Sequence, residues 1–324
     1  MFRFLAILVA SSVGAFGQTL LFVSEYSTGN LKAYDYSTGN SVTLPASYSP
    51  VGGVSAGCDG MVIGPDGRLY INRGDGTISR RSVDGTTFST FATMPGAGPG
   101  FDLLDLTTDG ISLFGARFSF NTIYRTSLAN GSVTTISGPS GASRFDGVRI
   151  GPDGRLYAVD SSDGDIFAYN LSNGTWSTFF SSSLAGDASQ MEFGPDGRVF
   201  VSRTISGQAR LYSYTLNTPG DYSSGLNPGS QTLIGSFGSG GATGIRIGPD
   251  GRLYANNFNT GEIWRSNVGI TAMDSSAFIT GLSSPGSIYF TAIPEPAVGS
   301  LAALAGVLWV GMVFCRGVGA RVRW

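Results

Sequence analysis

Short apolar segments alternate with polar, glycine-rich turns along most of the chain. Two such segments flank the same turn three times as IGPDGRLY, at 63–70, 150–157 and 247–254, and once as FGPDGRVF at 193–200. In GPDG, proline presets φ, aspartate bonds nearby backbone and the last glycine accepts positive φ, so each copy predicts a tight hairpin. A chemical motif is normally needed once, whereas a unit that cannot bury its own apolar face must be repeated. The repetition therefore indicates architecture.

The repeated unit spans roughly 43 to 54 residues and contains two apolar strands around each turn. Six candidate first strands are present, namely MVI, LLDL, GVRI, QMEF, GIRI and SIYF. Six candidate second strands are also present, namely LLFVS, RLYIN, SLFGA, RLYAV, RVFVS and RLYAN. The chain starts with a second strand at Leu20 and ends with a first strand at Ser287. A ring closes in this way and loses its open sheet edge, which predicts an all-β, six-bladed β-propeller over residues 18–291.

The aspartates of the four turns have two interpretations, as turn residues or as calcium ligands. They are Asp66, Asp153, Asp196 and Asp250. Each lies in a separate turn without the dense oxygen ligands of a calcium loop, which favours the turn role. The third repeat carries TTDG and keeps only the aspartate and the glycine.

The first 17 residues have the pattern of a secretory signal peptide. Arg3 precedes an apolar run from Phe4 to Val13, and the small-residue pattern Ala15-Phe16-Gly17 predicts cleavage after Gly17. A buried N-terminal strand is the alternative, although the run is long for a strand. Residues 1–17 are therefore predicted to direct export.

The last segment, residues 292–324, combines a Pro-Glu-Pro triplet, an apolar stretch and a basic tail. The triplet is Pro294, Glu295 and Pro296, the apolar stretch runs over 297–315, and Arg316 begins the tail. Such a stretch is long enough for one transmembrane helix with its basic side in the cytoplasm. The segment resembles the PEP-CTERM sorting signal of bacteria, which implies an exosortase-type membrane protease as partner and transient anchoring in the inner membrane. The protein would then be attached to the cell surface or released to the extracellular space. A permanent anchor is the alternative.

Composition excludes several kinds of chemistry. The net charge of −2 and the absence of a basic cluster in the body argue against a nucleic-acid partner. The chain contains no histidine, which removes the Ser-His-Asp triad and the commonest zinc ligand. Its two cysteines, Cys58 and Cys315, provide no disulfide framework. Chemistry would depend on carboxylates, arginine, tyrosine or a hard cation.

Loops before the first strand and after the second strand of each blade open on the same face of a propeller, so binding residues are expected there. We call the positions before the first strands the inlet ring, which comprises Asp59, Asp102, Asp146, Ser189, Thr243 and Gly286. We call the positions that end the second strands the outlet ring, a candidate ligand-binding set comprising Glu25, Arg73, Arg117, Asp160, Arg203 and Asn257.

A third column lies deeper, on the first strands themselves. It comprises Val62, Asp105, Arg149, Glu192, Arg246 and Tyr289. Four of these positions alternate in charge, which predicts ion pairs from blade to blade that fix register.

The segments CDGMVIGPDGRLY and FDGVRIGPDGRLY resemble the strand-entering segments of the SMP-30/gluconolactonase family, whose six-bladed spacing NHL propellers share. The resemblance implies a divalent cation, calcium, above the channel. Asp59 and Asp146 match the family's aspartate position, and Asp102 is placed in the same column. These three residues are the candidate metal ligands.

Three functions follow from these patterns. The main prediction is an exported, noncatalytic propeller that binds or organises extracellular polysaccharide or another surface ligand. A calcium-dependent hydrolase of the lactonase type, with its site on the channel face, is the alternative enzyme. A sialidase-like anion site on Arg73, Arg117 and Arg203 is the third hypothesis, although the chain lacks the Asp-box repeats of sialidases.

Overall fold

The computed structural model describes residues 19–43, 57–82, 87–98, 103–117, 119–184 and 187–292. Within these ranges, antiparallel strands form six sheets, and neighbouring sheets pack face to face as the blades of a β-propeller. The six-bladed, all-β prediction is confirmed. Thr19 begins the first described strand and Ala292 ends the last.

The first blade takes its innermost strand from the other end of the chain. It consists of β1 (Thr19–Glu25), β2 (Asn30–Asp35), β3 (Ser41–Val42) and β23 (Pro285–Ala292). The second blade consists of β4 (Met61–Ile63), β5 (Leu69–Arg73), β6 (Thr77–Arg81) and β7 (Phe88–Thr93). The third blade consists of β8 (Leu103–Thr108), β9 (Ser112–Arg117), β10 (Thr122–Ser127) and β11 (Val133–Ser137).

The remaining blades follow in chain order. The fourth consists of β12 (Phe145–Ile150), β13 (Leu156–Asp160), β14 (Ile166–Asn170) and β15 (Thr175–Phe180). The fifth consists of β16 (Asp187–Phe193), β17 (Val199–Ile205), β18 (Gln208–Tyr214) and β19 (Thr232–Ser239), with two short 3-10 helices, Tyr222–Ser224 and Pro228–Ser230, between its last two strands. The sixth consists of β20 (Ala242–Ile247), β21 (Leu253–Asn257) and β22 (Glu262–Arg265).

The ring closes where the offset of first and second strands predicts. Strand β23, which contains SIYF, lies beside β1, which contains LLFVS. The Ser24 hydroxyl links three segments, since it accepts a hydrogen bond from Ser287 N at 2.8 Å and donates to Asp59 O at 2.9 Å. Closure therefore joins both ends of the propeller to the start of the second blade, and β23 covers the edge that β1 would otherwise leave open.

The core lies between neighbouring blades. Tyr157 and Val159 of the fourth blade, for example, belong to one buried cluster with Met191 and Val199 of the fifth. Because each inner sheet packs on both faces, its strands are apolar at consecutive positions, and all five residues of β13 are buried. This two-sided burial explains the continuous apolar runs in the sequence.

The repeated GPDG segments are hydrogen-bonded turns. In the second blade, Gly67 N donates to Gly64 O at 3.0 Å, and Gly67 has φ of 70°. The Asp66 carboxylate accepts from Tyr70 OH at 3.0 Å and from Arg68 N at 3.2 Å. The same tyrosine and backbone contacts recur at Asp153 and Asp250. The carboxylates thus clamp the second strand to its own turn, in agreement with the turn interpretation.

The alternating charges of the deeper column form ion pairs from blade to blade. Arg149 Nη1 lies 2.8 Å from Asp105, and Arg149 Nε lies 3.3 Å from Glu192. Arg246 lies 3.5 Å from the same Glu192 and stacks over the Tyr289 ring at 4.8 Å. The predicted ion pairs from blade to blade, which we call the ion-pair ladder, are confirmed, but the register of the third blade places Thr107, and not Asp105, at the position equivalent to Arg149.

The predicted signal peptide and sorting signal, including Pro294, Glu295, Pro296 and Arg316, lie outside the described residues. In the part of the chain that the structure describes, no helix has the length and apolar character needed to span a membrane.

Candidate functional site

One cavity of about 300 Å³ lies where the inlet positions converge. Five of the six blades contribute inlet residues to it, and two aromatic side chains complete the lining. The described lining residues are Tyr26, Asp59, Leu104, Asp146, Ser189, Gln190, Thr243, Phe258 and Gly286. The structure therefore brings together five of the six residues of the predicted inlet ring.

β-Bulges in the inner strands aim side chains at this cavity. In β12, Phe145 pairs with Asp160 and Gly147 pairs with Val159, so Asp146 is the extra, unpaired residue. The same irregularity isolates Ser189 in β16 and Leu104 in β8, and in β20 the register shift leaves Thr243 and Gly244 between the paired residues Ala242 and Ile245. An extra residue in a bulge is turned out of the regular strand alternation, which frees its side chain for the cavity.

The third blade differs from the predicted inlet ring. Leu103 pairs with Arg117 at the end of the second strand, as Phe145 pairs with Asp160 in the fourth blade. This register places Leu104 at the position of Asp146, so the assignment of Asp102 to that column is wrong by two residues. Asp102 itself lies outside the described residues, and its role as a metal ligand stays a prediction.

Asp146 is a cavity carboxyl group with a raised pKa. Burial raises its pKa to about 7, and the nearby Asp187 and Asp160 raise it further, whereas a hydrogen bond from Ser161 and the charge of Arg144 oppose the rise. Its Oδ1 is buried without a hydrogen-bond partner among the described residues. The site therefore holds a carboxyl group that exchanges its proton near neutral pH.

Asp59 lies on the second blade, beside the closing strand. Its side chain is buried, at 4% exposure, and a side chain on Gly286 would collide with its carboxylate. Glycine is therefore the residue type at position 286 that leaves room for Asp59. This explains the glycine at the sixth inlet position, where other blades carry a side chain.

Two aromatic residues from the ends of the ring meet at the cavity. The rings of Tyr26 and Phe258 lie 5.6 Å apart at an interplanar angle of 56°. Both are half-buried, and each directly follows an outlet residue, Glu25 or Asn257. Ring closure brings the first and sixth blades together, so the pair combines distant parts of the sequence. An aromatic residue after the second strand in these two blades was the available signal, and the ring assignment missed it.

The remaining polar lining is fixed by hydrogen bonds inside the propeller. Thr243 Oγ1 donates to Pro285 O at 3.0 Å and accepts from Asn256 Nδ2 at 2.9 Å. Gln190 Oε1 accepts from Arg149 Nη2 at 3.4 Å, so an arginine of the ion-pair ladder contacts a residue that lines the cavity. These bonds hold the cavity wall in one geometry before any ligand arrives.

The acidic and amide residues of the outlet ring hold turns. Glu25 is buried at 1% exposure, pairs with Lys32 at 2.6 Å and accepts from Ser283 N at 2.8 Å. Asp160 is fully buried and accepts from the backbone N–H groups of Ser143, before β12, and of Ser162, in the turn after β13. Asn257 Nδ2 donates to Phe237 O at 2.9 Å.

The arginines of the outlet ring also have partners within the chain. Arg73 lies 3.3 Å from Asp75, Arg117 stacks on the Phe120 ring at 4.1 Å, and Arg203 donates to Leu184 O at 3.0 Å. None of the six outlet residues is among the described residues that line the cavity. The outlet ring therefore lies apart from the described cavity lining, and the polar groups of the outlet ring bond to neighbouring strands and loops.

The cavity contains two carboxyl groups that could contribute to a metal site. Asp59 and Asp146 both line the cavity, but no three His, Cys, Asp or Glu side chains of the described ranges are placed to hold one metal ion. Calcium takes six to eight oxygen ligands. The described carboxylates alone do not fit such a site.

No protein-family model matches the sequence, and no curated protein matches it. Solved structures do match the fold. A chain in a crystal structure of a nidogen/laminin complex superposes with a TM-score of 0.64 at 13% identity, over 84% of this chain and 98% of that chain. A candidate 6-phosphogluconolactonase from Bacteroides fragilis gives 0.56 at 14% identity, over 85% and 98%. Virginiamycin B lyase from Staphylococcus aureus gives 0.55 at 14% identity, over 84% and 87%. At such low identity these similarities establish the propeller fold alone.

Proposed function

We propose that this protein is an exported, noncatalytic propeller that binds a saccharide unit of an extracellular polysaccharide. The observation that carries the proposal is the composition of one cavity. The Tyr26–Phe258 pair shares about 300 Å³ with the carboxyl groups of Asp59 and Asp146 and with hydroxyl and amide side chains.

A saccharide has the complementary chemistry. Its ring presents C–H groups on its faces, which pack on aromatic rings, and hydroxyl groups at its edge, which pair with carboxylate and amide oxygens. The cavity is at the small end of the range for ligand pockets, which suits one sugar unit rather than a long chain. The hydrogen bonds of Thr243 and Gln190 preorganise the polar wall and reduce the entropy that binding would cost.

The sequence of the two ends supports an extracellular setting for this ligand. The signal-peptide pattern of residues 1–17 favours export, and the PEP-CTERM resemblance of residues 292–324 favours processing by an exosortase-type protease after transient anchoring in the inner membrane. The proposed partner is therefore a polysaccharide at the cell surface. Detection of the processed protein in the surface fraction, without residues 292–324, would support this location, and recovery of the whole chain in the cytoplasm would contradict it.

Saccharide titration of the purified protein tests the binding function. Calorimetry with monosaccharides and short oligosaccharides is expected to show saturable binding. We expect Tyr26→Ala and Phe258→Ala each to weaken binding about ten-fold, because each removes half of the apolar platform. Phe120→Ala is the matched control, since Phe120 does not line the cavity. Equal affinities in all four proteins would contradict the site, and the absence of binding to every saccharide would contradict the function.

A lactonase-type hydrolase is a second candidate. It is favoured by the shared placement of Asp59 and Asp146 in one cavity and by the fold similarity to a candidate 6-phosphogluconolactonase. A calcium ion there would need a ligand beyond these two carboxylates, and Asp102 is the residue that the sequence suggests. Hydrolysis of sugar lactones by the wild-type protein in the presence of calcium, lost on chelation, would favour this candidate over simple binding.

A further inference from the structure

The third blade contributes an aliphatic side chain to the cavity. Leu104 lines it at the inlet position where the fourth blade has Asp146 and the fifth has Ser189. Leu104 is the extra residue of a bulge between Leu103 and Asp105, and it is half-buried. At this blade the cavity therefore presents an apolar group to a ligand, where the neighbouring blade presents a polar one.

The order of the blades places Leu104 across the cavity from the aromatic pair. Six blades follow one another around a closed ring, so the third blade faces the sixth across the channel. Phe258 belongs to the sixth blade, and Tyr26 belongs to the first, which lies beside the sixth. Asp59 of the second blade and Asp146 of the fourth lie on either side of Leu104. The cavity thus has apolar groups at two opposite sides and polar groups between them.

A sugar ring in this cavity would present different groups to the different walls. Its C–H face packs on the aromatic pair, and its ring hydroxyl groups reach the polar side chains between the apolar sides. Leu104 has no polar side-chain atom, so it offers no hydrogen bond to the sugar substituent that lies against it. A hydroxyl group at that place would lose water without a replacement, whereas a methyl group would be stabilised by burial.

We propose that the cavity selects 6-deoxyhexose units, in which a methyl group replaces the exocyclic hydroxymethyl group, over the corresponding hexoses. This inference rests on the proposed saccharide function and names the class of sugar for that site. The methyl group packs on Leu104, and the ring keeps its contacts with Tyr26 and Phe258. The preference is expected to be about ten-fold, which is the lower end of what a hydrophobic pocket achieves for a difference of this size.

Calorimetric titration of the full chain with three matched pairs of sugars tests the selection. The pairs are the methyl glycosides of 6-deoxyglucose and glucose, of rhamnose and mannose, and of fucose and galactose, with the same ring configuration within each pair. We expect every pair that binds to favour its 6-deoxy member about ten-fold at pH 7. Equal affinities within these pairs, or a preference for the hexose, would overturn the inference and leave saccharide binding intact. Absence of binding by all six glycosides would overturn both.

Replacements of Leu104 locate the effect. Leu104→Ser supplies a hydroxyl group and is expected to reduce the preference for the 6-deoxy sugar by several-fold. Leu104→Met keeps an apolar side chain of similar size and is expected to retain the preference. Leu233→Ser is the matched control and is also expected to retain it, because Leu233 is 49% exposed and lies outside the described cavity lining.

Thermal melting must show that each variant is folded, because Leu104 is half-buried. If Leu104→Ser is not folded, Leu104→Ala provides the test, since it removes most of the apolar contact with the sugar and adds no polar group. We expect this variant, too, to lose most of the preference. An undiminished preference in the folded Leu104→Ser or Leu104→Ala variant would overturn the site.

Discussion

Replacing Asp146 by asparagine is expected to stabilise the protein at alkaline pH and to have little effect in acid. Burial raises the pKa of the Asp146 carboxyl group from 3.8 to about 7. Between these values the unfolded chain has lost the proton and the folded protein retains it, so stability falls as pH rises. At about 1.4 kcal/mol per pH unit, the full loss is roughly 4 kcal/mol by pH 8, and water in the open cavity makes this an upper limit.

Urea unfolding at pH 5 and pH 8 measures this effect. Asparagine has the shape of the protonated acid and cannot ionise, so the variant should lack this component of the pH dependence. We expect the midpoint difference between Asp146→Asn and the wild type to favour the variant at pH 8 and to shrink towards pH 5, with equal m-values. Asp163→Asn is the matched control, because Asp163 is exposed and is not among the groups that shift the pKa of Asp146. Parallel pH profiles of wild type and Asp146→Asn would refute the assignment of a protonated carboxyl group to this position.

Three further predictions concern metal binding, closure and the turns. Millimolar calcium is expected to raise the melting temperature if Asp59 and Asp146 belong to a metal site, whereas a flat response down to chelated conditions would remove the lactonase candidate that depends on calcium. Deletion of residues 286–291 is expected to open β1 as an edge and cause aggregation, and a soluble, folded truncation would contradict the closure. Gly67→Val and Gly154→Val are each expected to cost about 1 kcal/mol or more, because both glycines have positive φ, and unchanged melting of both would contradict the turn geometry.

The sequence predicts the architecture well because the architecture is repeated. The GPDG turn recurs at a regular spacing, and its aspartate, glycine and following strand keep the same local contacts in the second, fourth and sixth blades. Local interactions of this kind depend only on neighbouring residues, so they can be recognised in the chain itself. The offset of first and second strands then fixes the closure of the ring without any distance information.

The ion-pair ladder was predictable for a related reason. Arg149, Glu192 and Arg246 occupy equivalent positions of neighbouring blades, so residues whose charges alternate along the chain lie next to one another around the channel.

The outer part of the sixth blade was not predictable, because no fourth strand follows β22 in the described chain. Isolated bridges from Ile263 to Ile279 and from Ser266 to Met273 replace it. The sequence of this outer segment has no strand periodicity from which that substitution could be foreseen.

The cavity was predictable only in part because bulges and closure determine its lining. Counting back from the turn places Asp102 in the column of Asp146, but the shorter turn of the third blade places Leu104 there. Period-2 alternation carries no signal for a single extra residue. The Tyr26–Phe258 contact joins positions far apart in the chain, and it exists only because the ring is closed.

The outlet ring shows why charge at a loop is weak evidence for binding. Its carboxylates and arginines occupy the rim by sequence, yet Asp160 and Arg203 are fully buried and bond to backbone groups of adjacent turns. A buried polar group without a partner costs about 1–3 kcal/mol, so a propeller whose loops leave backbone groups unpaired must satisfy them with side chains. Side chains that bond to these backbone groups already have hydrogen-bond partners before a ligand arrives. Asp146 differs because it is the extra residue of a bulge, it lines the cavity, and its Oδ1 has no hydrogen-bond partner among the described residues. The convergence of inlet positions on one cavity, more than their charge, is the physical reason to propose that cavity as the site of ligand recognition.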